Sequence, residues 1–361
     1  SNTNHTMIVN SDILFCIFRF LNSDDLIRVS RVCKKWHSIS RDELVWKYRD
    51  GFDLLFPSPT WYNYTMYNFQ KKLGKKLELK ETDGNLFIFD TINLSGKGLF
   101  NVPPELGNLT GLKYLHLYDN QLSSVPPELG SLSNLKLLHL ENNQLASIPP
   151  ELGKLVNLVC LYLENNQLTS IPSELGNLSN LKCLYLNTNQ LTSVSSELGN
   201  LSNLDQLCLH NNQLTSIPPE LGKLTNLDCL WLHNNQLTSV PSKLGSLINL
   251  SCLIVSNNYL TKIPTELGDM RSIRNLQLNN NLLENIPAEL GNMRLLHTLC
   301  LSNNKLVSIP SELGNLSNLI CLDLSYNQLA SVPPELGNLR NLDCLWLQKN
   351  QLTSVPPELS H

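Results

Sequence analysis

The chain has 361 residues, of which 42% are hydrophobic, and a formal net charge of −4. This length allows two ordinary domains or one long repeat array, and the composition is that of a packed protein rather than a disordered one. No run of about 18 apolar residues occurs, so no membrane span is predicted. Residues 1–80 hold 13 Lys and Arg against 8 Asp and Glu, whereas residues 81–361 hold 14 against 23. Because most of the chain is acidic, a nucleic acid is not expected as its main ligand.

Residues 9–48 have the pattern of three short amphipathic helices. Apolar residues recur at helical spacing from Val9 to Leu21, and again from Leu26 to Trp36, with a polar segment between the two runs. A segment of this length buries little apolar surface by itself. Three short motifs characterise it: Asp24-Asp25-Leu26, Val32-Cys33-Lys34-Lys35-Trp36 and Leu44-Val45-Trp46.

These motifs resemble the F-box family, although Val9-Asn10 stands where that family opens with Leu-Pro. The resemblance implies an all-α, F-box-like domain at residues 7–50 that docks on a Skp-family adaptor. The adaptor in turn joins a cullin scaffold and a ubiquitin-conjugating enzyme. The residues expected to bind the adaptor are the apolar ones of the helical pattern: Val9, Ile13, Ile17, Phe18, Leu21, Leu26, Val29, Cys33 and Trp36. The alternative interpretation is that the helical head only caps the domain that follows it.

Residues 51–83 are rich in aromatic residues and end in a basic cluster from Lys71 to Lys76. We interpret this segment as a helical linker that packs the head on the next domain. The lysines are few and isolated, which does not favour a nucleic-acid site.

From residue 84 to residue 361 the chain repeats itself every 23 residues. The most regular column is asparagine, at Asn120, Asn143, Asn166, Asn189, Asn212, Asn235, Asn258, Asn281, Asn304, Asn327 and Asn350. Leucine, Ile/Val, proline and glycine columns accompany it. The pattern resembles the leucine-rich-repeat family, in its 23-residue class. One further repeat, with Lys97 in the asparagine column, makes twelve.

The repeat columns predict an α/β solenoid with a parallel concave sheet and an irregular or short-helical convex side. Alternation in Leu115-x-Leu117 indicates a short strand with one face inward. The recurring asparagine is expected to be buried and to hydrogen-bond the backbone of neighbouring repeats as a ladder. The proline column, at Pro126 for example, ends each strand side. The glycine column, at Gly130 for example, is expected to permit a tight chain reversal.

The strand residues between the leucines are expected to line a surface that binds another protein. These positions vary from repeat to repeat while the core columns barely change, and Tyr and Trp are enriched at binding hot spots. The predicted partner-binding residues are His116, Tyr118, His139, Tyr162, Tyr185, His210, Trp231, His233, Asp323 and Trp346, and Glu141 and Glu164 are expected to flank their centre. The alternative is that they are tolerated surface substitutions in a recently duplicated array.

Six of the ten cysteines share one column of the predicted sheet, at Cys160, Cys183, Cys229, Cys252, Cys321 and Cys344. No CxxC or CxxH cluster accompanies them, so neither a zinc site nor a catalytic thiol is predicted. We expect small apolar fillers with free thiols, which favours a reducing cytosol.

No phosphate-binding loop, nucleophile motif or metal motif occurs, so the chain is predicted to be a non-enzyme without cofactor or metal. The F-box resemblance and the repeats together predict the substrate receptor of a cullin-type ubiquitin ligase. The alternative is a binding scaffold or inhibitor. The expected location is the cytoplasm, or the host cytoplasm if the chain is a viral or bacterial effector.

Overall fold

The computed structural model describes residues 87–88 and 90–359, which form one 13-stranded sheet in strict chain order. Strand β1 pairs antiparallel with β2, and the twelve strands from β2 to β13 are parallel. The strands are β1 (Phe87–Ile88), β2 (Thr91–Asn93), β3 (Tyr114–His116), β4 (Leu137–His139), β5 (Cys160–Tyr162), β6 (Cys183–Tyr185), β7 (Gln206–Cys208), β8 (Cys229–Trp231), β9 (Cys252–Ile254), β10 (Asn275–Gln277), β11 (Thr298–Cys300), β12 (Cys321–Asp323) and β13 (Cys344–Trp346). The predicted solenoid is confirmed, and the antiparallel β1 is an addition to it.

A short 3-10 helix follows each strand from β2 onward. Its first turn is closed by the leucine N–H, which donates to the carbonyl three residues earlier, as Leu129 does to Pro126 at 3.1 Å. The acceptor residue is proline except in η5, where it is Ser195. The helices are η1 (Pro104–Asn108), η2 (Pro127–Ser131), η3 (Pro150–Lys154), η4 (Ser173–Asn177), η5 (Ser196–Asn200), η6 (Pro219–Lys223), η7 (Ser242–Ser246), η8 (Thr265–Asp269), η9 (Ala288–Asn292), η10 (Ser311–Asn315), η11 (Pro334–Asn338) and η12 (Pro357–Leu359). None of the helices in the described residues is long and apolar enough to cross a bilayer.

The core between strands and helices consists of the leucine columns and the asparagine ladder. The Asn143 amide donates to the carbonyls of Leu117 and Leu140, at 3.0 Å each, and its Oδ1 accepts from the N–H of Leu122 at 3.1 Å. One side chain thus satisfies backbone groups of two repeats that the core would otherwise leave unpaired. The same pattern recurs along the array, which confirms the predicted ladder.

The glycine column has a different role from the expected one. Gly130 does not have a positive φ; positive-φ glycines in the described residues are Gly96 and Gly98. A Cβ on Gly130 would instead collide with the backbone of Glu151 in the next repeat. Glycine is required here because two helical turns approach closely, not because the chain reverses.

A second ladder runs one residue before the first, at positions with φ between 52° and 58°. Asparagine tolerates this left-handed conformation better than most residues. Asn165 donates to Asn142 Oδ1 at 2.7 Å, and Asn142 donates to Asp119 Oδ1 at 2.8 Å. Thr188 interrupts this outer ladder with a φ of 54°.

Candidate protein-binding surface

The candidate site is the sheet face that points away from the leucine core, here called the concave face. In β6 the middle residue Leu184 is fully buried, while Cys183 and Tyr185 on either side of it are half-buried. Alternate strand residues point to opposite faces, so the outer two share the concave face. The ten predicted partner-binding residues all lie in these outward columns, and their role in binding stays a prediction.

Four aromatic rings on the neighbouring strands β3 to β6 form one continuous stack. Ring centroids are 4.9 Å apart for His116 and His139, 4.1 Å for His139 and Tyr162, and 4.8 Å for Tyr162 and Tyr185. Interplanar angles are 20°, 8° and 6°. The cause is register: parallel strands about 4.8 Å apart place equivalent side chains at stacking distance. Tyr118 meets His139 edge-on at 5.7 Å.

The stack ends at Cys208, which is 1% exposed. Tyr185 is opposite Cys208 in register, and its phenol O–H donates to Gln206 Oε1 at 2.6 Å. Beyond Cys208 a second aromatic cluster begins. His210 and His233 stack with centroids 4.3 Å apart, and Trp231 meets His210 edge-on at 6.1 Å.

Beside the rings runs a polar row with unsatisfied hydrogen-bonding atoms. The His139 Nδ1 and Glu141 Oε1 atoms are 2.7 Å apart. The other carboxylate oxygen of Glu141, one oxygen of Glu164, and the Nδ1 atoms of His210 and His233 are buried without a hydrogen-bond partner in the described part of the chain. Buried polar atoms are normally paired, so this row is suited to a partner's hydrogen-bonding groups.

Burial also sets the ionisation of this surface. It lowers the pKa of His210 to about 4, with a further contribution from His233, whose own pKa burial also lowers. Both imidazoles are therefore neutral at pH 7. Burial raises the pKa of Glu164 above its ordinary value and that of the Tyr162 phenol to about 12. The concave face thus presents the neutral rings of His210 and His233 on the same surface as the carboxyl groups of Glu141 and Glu164.

Two predicted residues lie apart from this centre. Asp323 and Trp346 belong to β12 and β13, separated from Trp231 by β9, β10 and β11. The Asp323 carboxylate accepts hydrogen bonds from Ser325, at 2.6 Å from the hydroxyl and 3.0 Å from the N–H. Trp346 is 42% exposed. The other eight predicted residues lie on the six consecutive strands β3 to β8 or directly after them.

Sequence reasoning did not include Gln206 among the site residues, whereas it placed Glu141 and Glu164 at the flank of the predicted surface. The two carboxylates belong to the varying column of Tyr118 and His210, so their position was readable. The hydrogen bond between Tyr185 and Gln206 depends on the rotamers of both side chains, and the periodicity of the sequence does not specify rotamers. The predicted adaptor-binding residues, from Val9 to Trp36, lie outside the described residues.

Family comparisons agree with the repeat geometry. A family model described as a leucine-rich repeat region matches residues 101–214, 196–293 and 267–361. The chain belongs to the leucine-rich-repeat family. A second family model, described as F-box-like, matches residues 11–50. The leucine-rich-repeat protein therefore carries the expected F-box-like segment at its N-terminus. No curated protein matches the chain.

Solved structures of leucine-rich-repeat proteins resemble this chain. A leucine-rich-repeat protein of Leptospira interrogans is 34% identical over 74% of this chain and 79% of its own, with a TM-score of 0.51. An internalin from Listeria monocytogenes shares the fold at 24% identity, over 81% of this chain and 92% of its own, with a TM-score of 0.60.

The ectodomain of the plant receptor kinase GASSHO1/SCHENGEN3 from Arabidopsis thaliana, in complex with CASPARIAN STRIP INTEGRITY FACTOR 2, is 38% identical over 70% of this chain, with a TM-score of 0.54. Only 34% of that ectodomain is covered. The chain likewise spans less than half of the plant peptide hormone receptor RGFR1, of PEPR1 and of a TDR receptor. The F-box-like segment and the repeats both belong to families of binding modules, so the leucine-rich-repeat protein is a protein-interaction molecule.

Proposed function

We propose that this leucine-rich-repeat protein is the substrate-recognition subunit of a cullin-type ubiquitin ligase. The observation that carries the proposal is the union, in one chain, of an F-box-like segment at residues 11–50 with a solenoid whose concave face varies while its core columns do not. The segment docks on a Skp-family adaptor, the adaptor joins the cullin scaffold, and the solenoid holds the substrate. The chain itself performs no bond chemistry.

The substrate is a protein held on the concave face around Tyr185 and Trp231. Large aromatic side chains dominate the energy of protein interfaces. The unpaired oxygens of Glu141 and Glu164 favour a substrate segment that presents N–H donors or a cationic side chain. His210 and His233, which are neutral at pH 7, do not oppose such a charge.

We place this activity in the cytoplasm. The eight cysteines of the described residues are all unpaired, including those on neighbouring strands. Free thiols in such numbers are typical of a reducing compartment.

Adaptor binding is tested by co-purifying the full chain with a Skp-family adaptor. Wild-type chain is expected to retain the adaptor, and Trp36→Ala is expected to lose it because an apolar contact of about 1.5–3 kcal/mol disappears. Tyr185→Ala, which alters only the repeats, serves as the matched control and should retain it. A wild-type chain that ignores the adaptor, yet still captures a protein partner, would support the binding-scaffold alternative instead.

Substrate capture is tested with variants of the concave and convex surfaces in eukaryotic lysate. Proteins that co-purify with wild-type chain and with Ser131→Ala, but not with Trp231→Ala, are candidate substrates. A hot-spot loss of about 2 kcal/mol weakens binding roughly 30-fold. Ubiquitination of the captured protein by the assembled ligase should fall in parallel. Equal capture and ubiquitination with both variants would place the substrate site elsewhere.

A further inference from the structure

Three pairs of cysteines lie side by side on the concave face. In each pair the two residues are directly opposite each other on neighbouring parallel strands. The pairs are Cys160 with Cys183, Cys229 with Cys252, and Cys321 with Cys344. All six side chains are half-buried and unpaired by disulfides.

The register brings both sulfur atoms of a pair together. Neighbouring parallel strands are about 4.8 Å apart, and residues in register point to the same side. In the first pair the neighbouring Cys160 thiol contributes to the raised pKa of Cys183, and in the third the Cys344 thiol contributes to the raised pKa of Cys321. The strand of Gln206 separates Cys183 from Cys229, which puts about two strand spacings between the first pair and the second. Each pair is therefore isolated and holds two sulfur ligands.

We propose that each of these cysteine pairs is a bidentate thiolate site for one soft, thiophilic ion, with trivalent arsenic as the test ligand. The described residues contain no group of three or more His, Cys, Asp or Glu that could hold a metal. Structural zinc needs four such ligands, so it does not fit. Soft ions prefer sulfur ligands, and two adjacent thiolates on a sheet suit them better than hard ions such as magnesium.

The pair formed by Cys229 and Cys252 has the most favourable surroundings. Asn275 Nδ2 donates to the Cys252 sulfur at 3.6 Å, which stabilises the thiolate that an ion requires. The Cys229 thiol donates to the Asp228 carboxylate at 3.3 Å, so Asp228 is placed to take its proton. This pair is expected to bind first.

The reaction of phenylarsine oxide with a cysteine pair needs neither an oxidant nor a reductant. Phenylarsine oxide and two thiols form two As–S bonds, break the As=O bond and two S–H bonds, and release one water. Arsenic stays trivalent throughout. A single thiol cannot close this ring, so the reaction distinguishes paired cysteines from isolated ones. Burial and the Cys160 thiol raise the pKa of Cys183 to about 12, and burial raises that of Cys229 to about 12. One-thiol alkylating reagents, which need a thiolate, should accordingly react slowly.

The experiment measures phenylarsine oxide bound per folded chain, by native mass spectrometry, for wild type and five Ser variants. Cys183→Ser, Cys252→Ser and Cys344→Ser each remove one pair and should each lose one of the three equivalents. Cys208→Ser and Cys300→Ser remove cysteines that have no cysteine opposite them in register and should lose none. Binding at Cys16 and Cys33, outside the described residues, would add a constant amount to every variant and leave these differences unchanged.

A second measurement covers the case in which a variant unfolds. Circular dichroism shows whether each variant is folded. An unfolded variant is replaced by the serine substitution of the other cysteine in its pair, which removes the same site; these substitutions are Cys160→Ser, Cys229→Ser and Cys321→Ser. Phenylarsine oxide should also raise the midpoint of thermal unfolding of wild type, because it ties neighbouring repeats together. A triple variant lacking all three pairs should show no such rise. The proposal is overturned if removing a pair leaves the bound arsenic unchanged, or if Cys208→Ser and Cys300→Ser lower it equally.

Discussion

The backbone of Glu151 packs so closely on Gly130 that a Cβ there would lie 2.7 Å from the Glu151 carbonyl carbon. The same contact recurs along the glycine column, from Gly107 to Gly337, each time with the residue 21 positions later. Successive helical turns are therefore spaced by backbone contact. The glycine column controls how tightly the repeats stack.

Gly130→Ala should destabilise the array by about 1–3 kcal/mol, because the added methyl group overpacks a backbone contact that has no room to move. Urea unfolding followed by circular dichroism measures the change. Ser131→Ala, at the exposed neighbouring position, is the control and should stay within about 0.5 kcal/mol of wild type. If Gly130→Ala and wild type have equal free energies of unfolding, neighbouring helical turns can move apart to admit the methyl group without loss of stability.

Trp231, the last residue of β8, and Leu232, directly after it, should respond differently to truncation. Leu232→Ala, in a fully buried column, should cost about 2–5 kcal/mol through the cavity it leaves. Trp231→Ala, half-buried on the concave face, should cost only about 1 kcal/mol, mostly from its edge contact with His210. Thermal and urea unfolding of both variants provide the comparison. If Trp231→Ala lowers the free energy of unfolding as much as Leu232→Ala does, the Trp231 side chain belongs to the core and the assignment of the concave face is wrong.

Thr188→Asn should stabilise the chain by about 1 kcal/mol, since a β-branched residue is strained at a φ of 54°. The new amide also extends the outer ladder: Asn211 now reaches Thr188 Oγ1 only at 3.5 Å, whereas Asn234 reaches Asn211 Oδ1 at 2.6 Å. Differential scanning calorimetry measures the gain. The reverse change, Asn165→Thr, should lose a similar amount, and a gain there would contradict the strain argument.

Acid should weaken the folded chain partly through His210. Its pKa is lowered to about 4 in the fold, against about 6.5 when unfolded. The unfolded state therefore binds more protons between these values, so the stability that His210 contributes is full above pH 6.5 and is lost as pH falls towards 4. His210→Gln should show a smaller loss of unfolding free energy between pH 7 and pH 4.5, measured by urea titration. An unchanged pH dependence would mean that His210 titrates normally.

The sequence alone determined the periodic features of this protein. Eleven asparagines at a constant spacing of 23 identified the ladder, and the Leu115-x-Leu117 alternation identified which strand face is buried. These features can be predicted because every repeat buries its apolar side chains against its neighbours in the same way. The same residue types therefore recur at equivalent positions of each repeat. The F-box-like segment was readable from its motifs, with Val32-Cys33-Lys34-Lys35-Trp36 as the longest of them.

Only the tertiary structure decided how residues of neighbouring repeats meet. The stack of His139 on Tyr162, the contact of Glu151 with Gly130 and the pairing in register of Cys160 with Cys183 all lie between repeats. Their geometry depends on strand register, on side-chain rotamers and on the closeness of neighbouring turns. These quantities are settled by packing across the whole array, and the local sequence around each residue does not specify them.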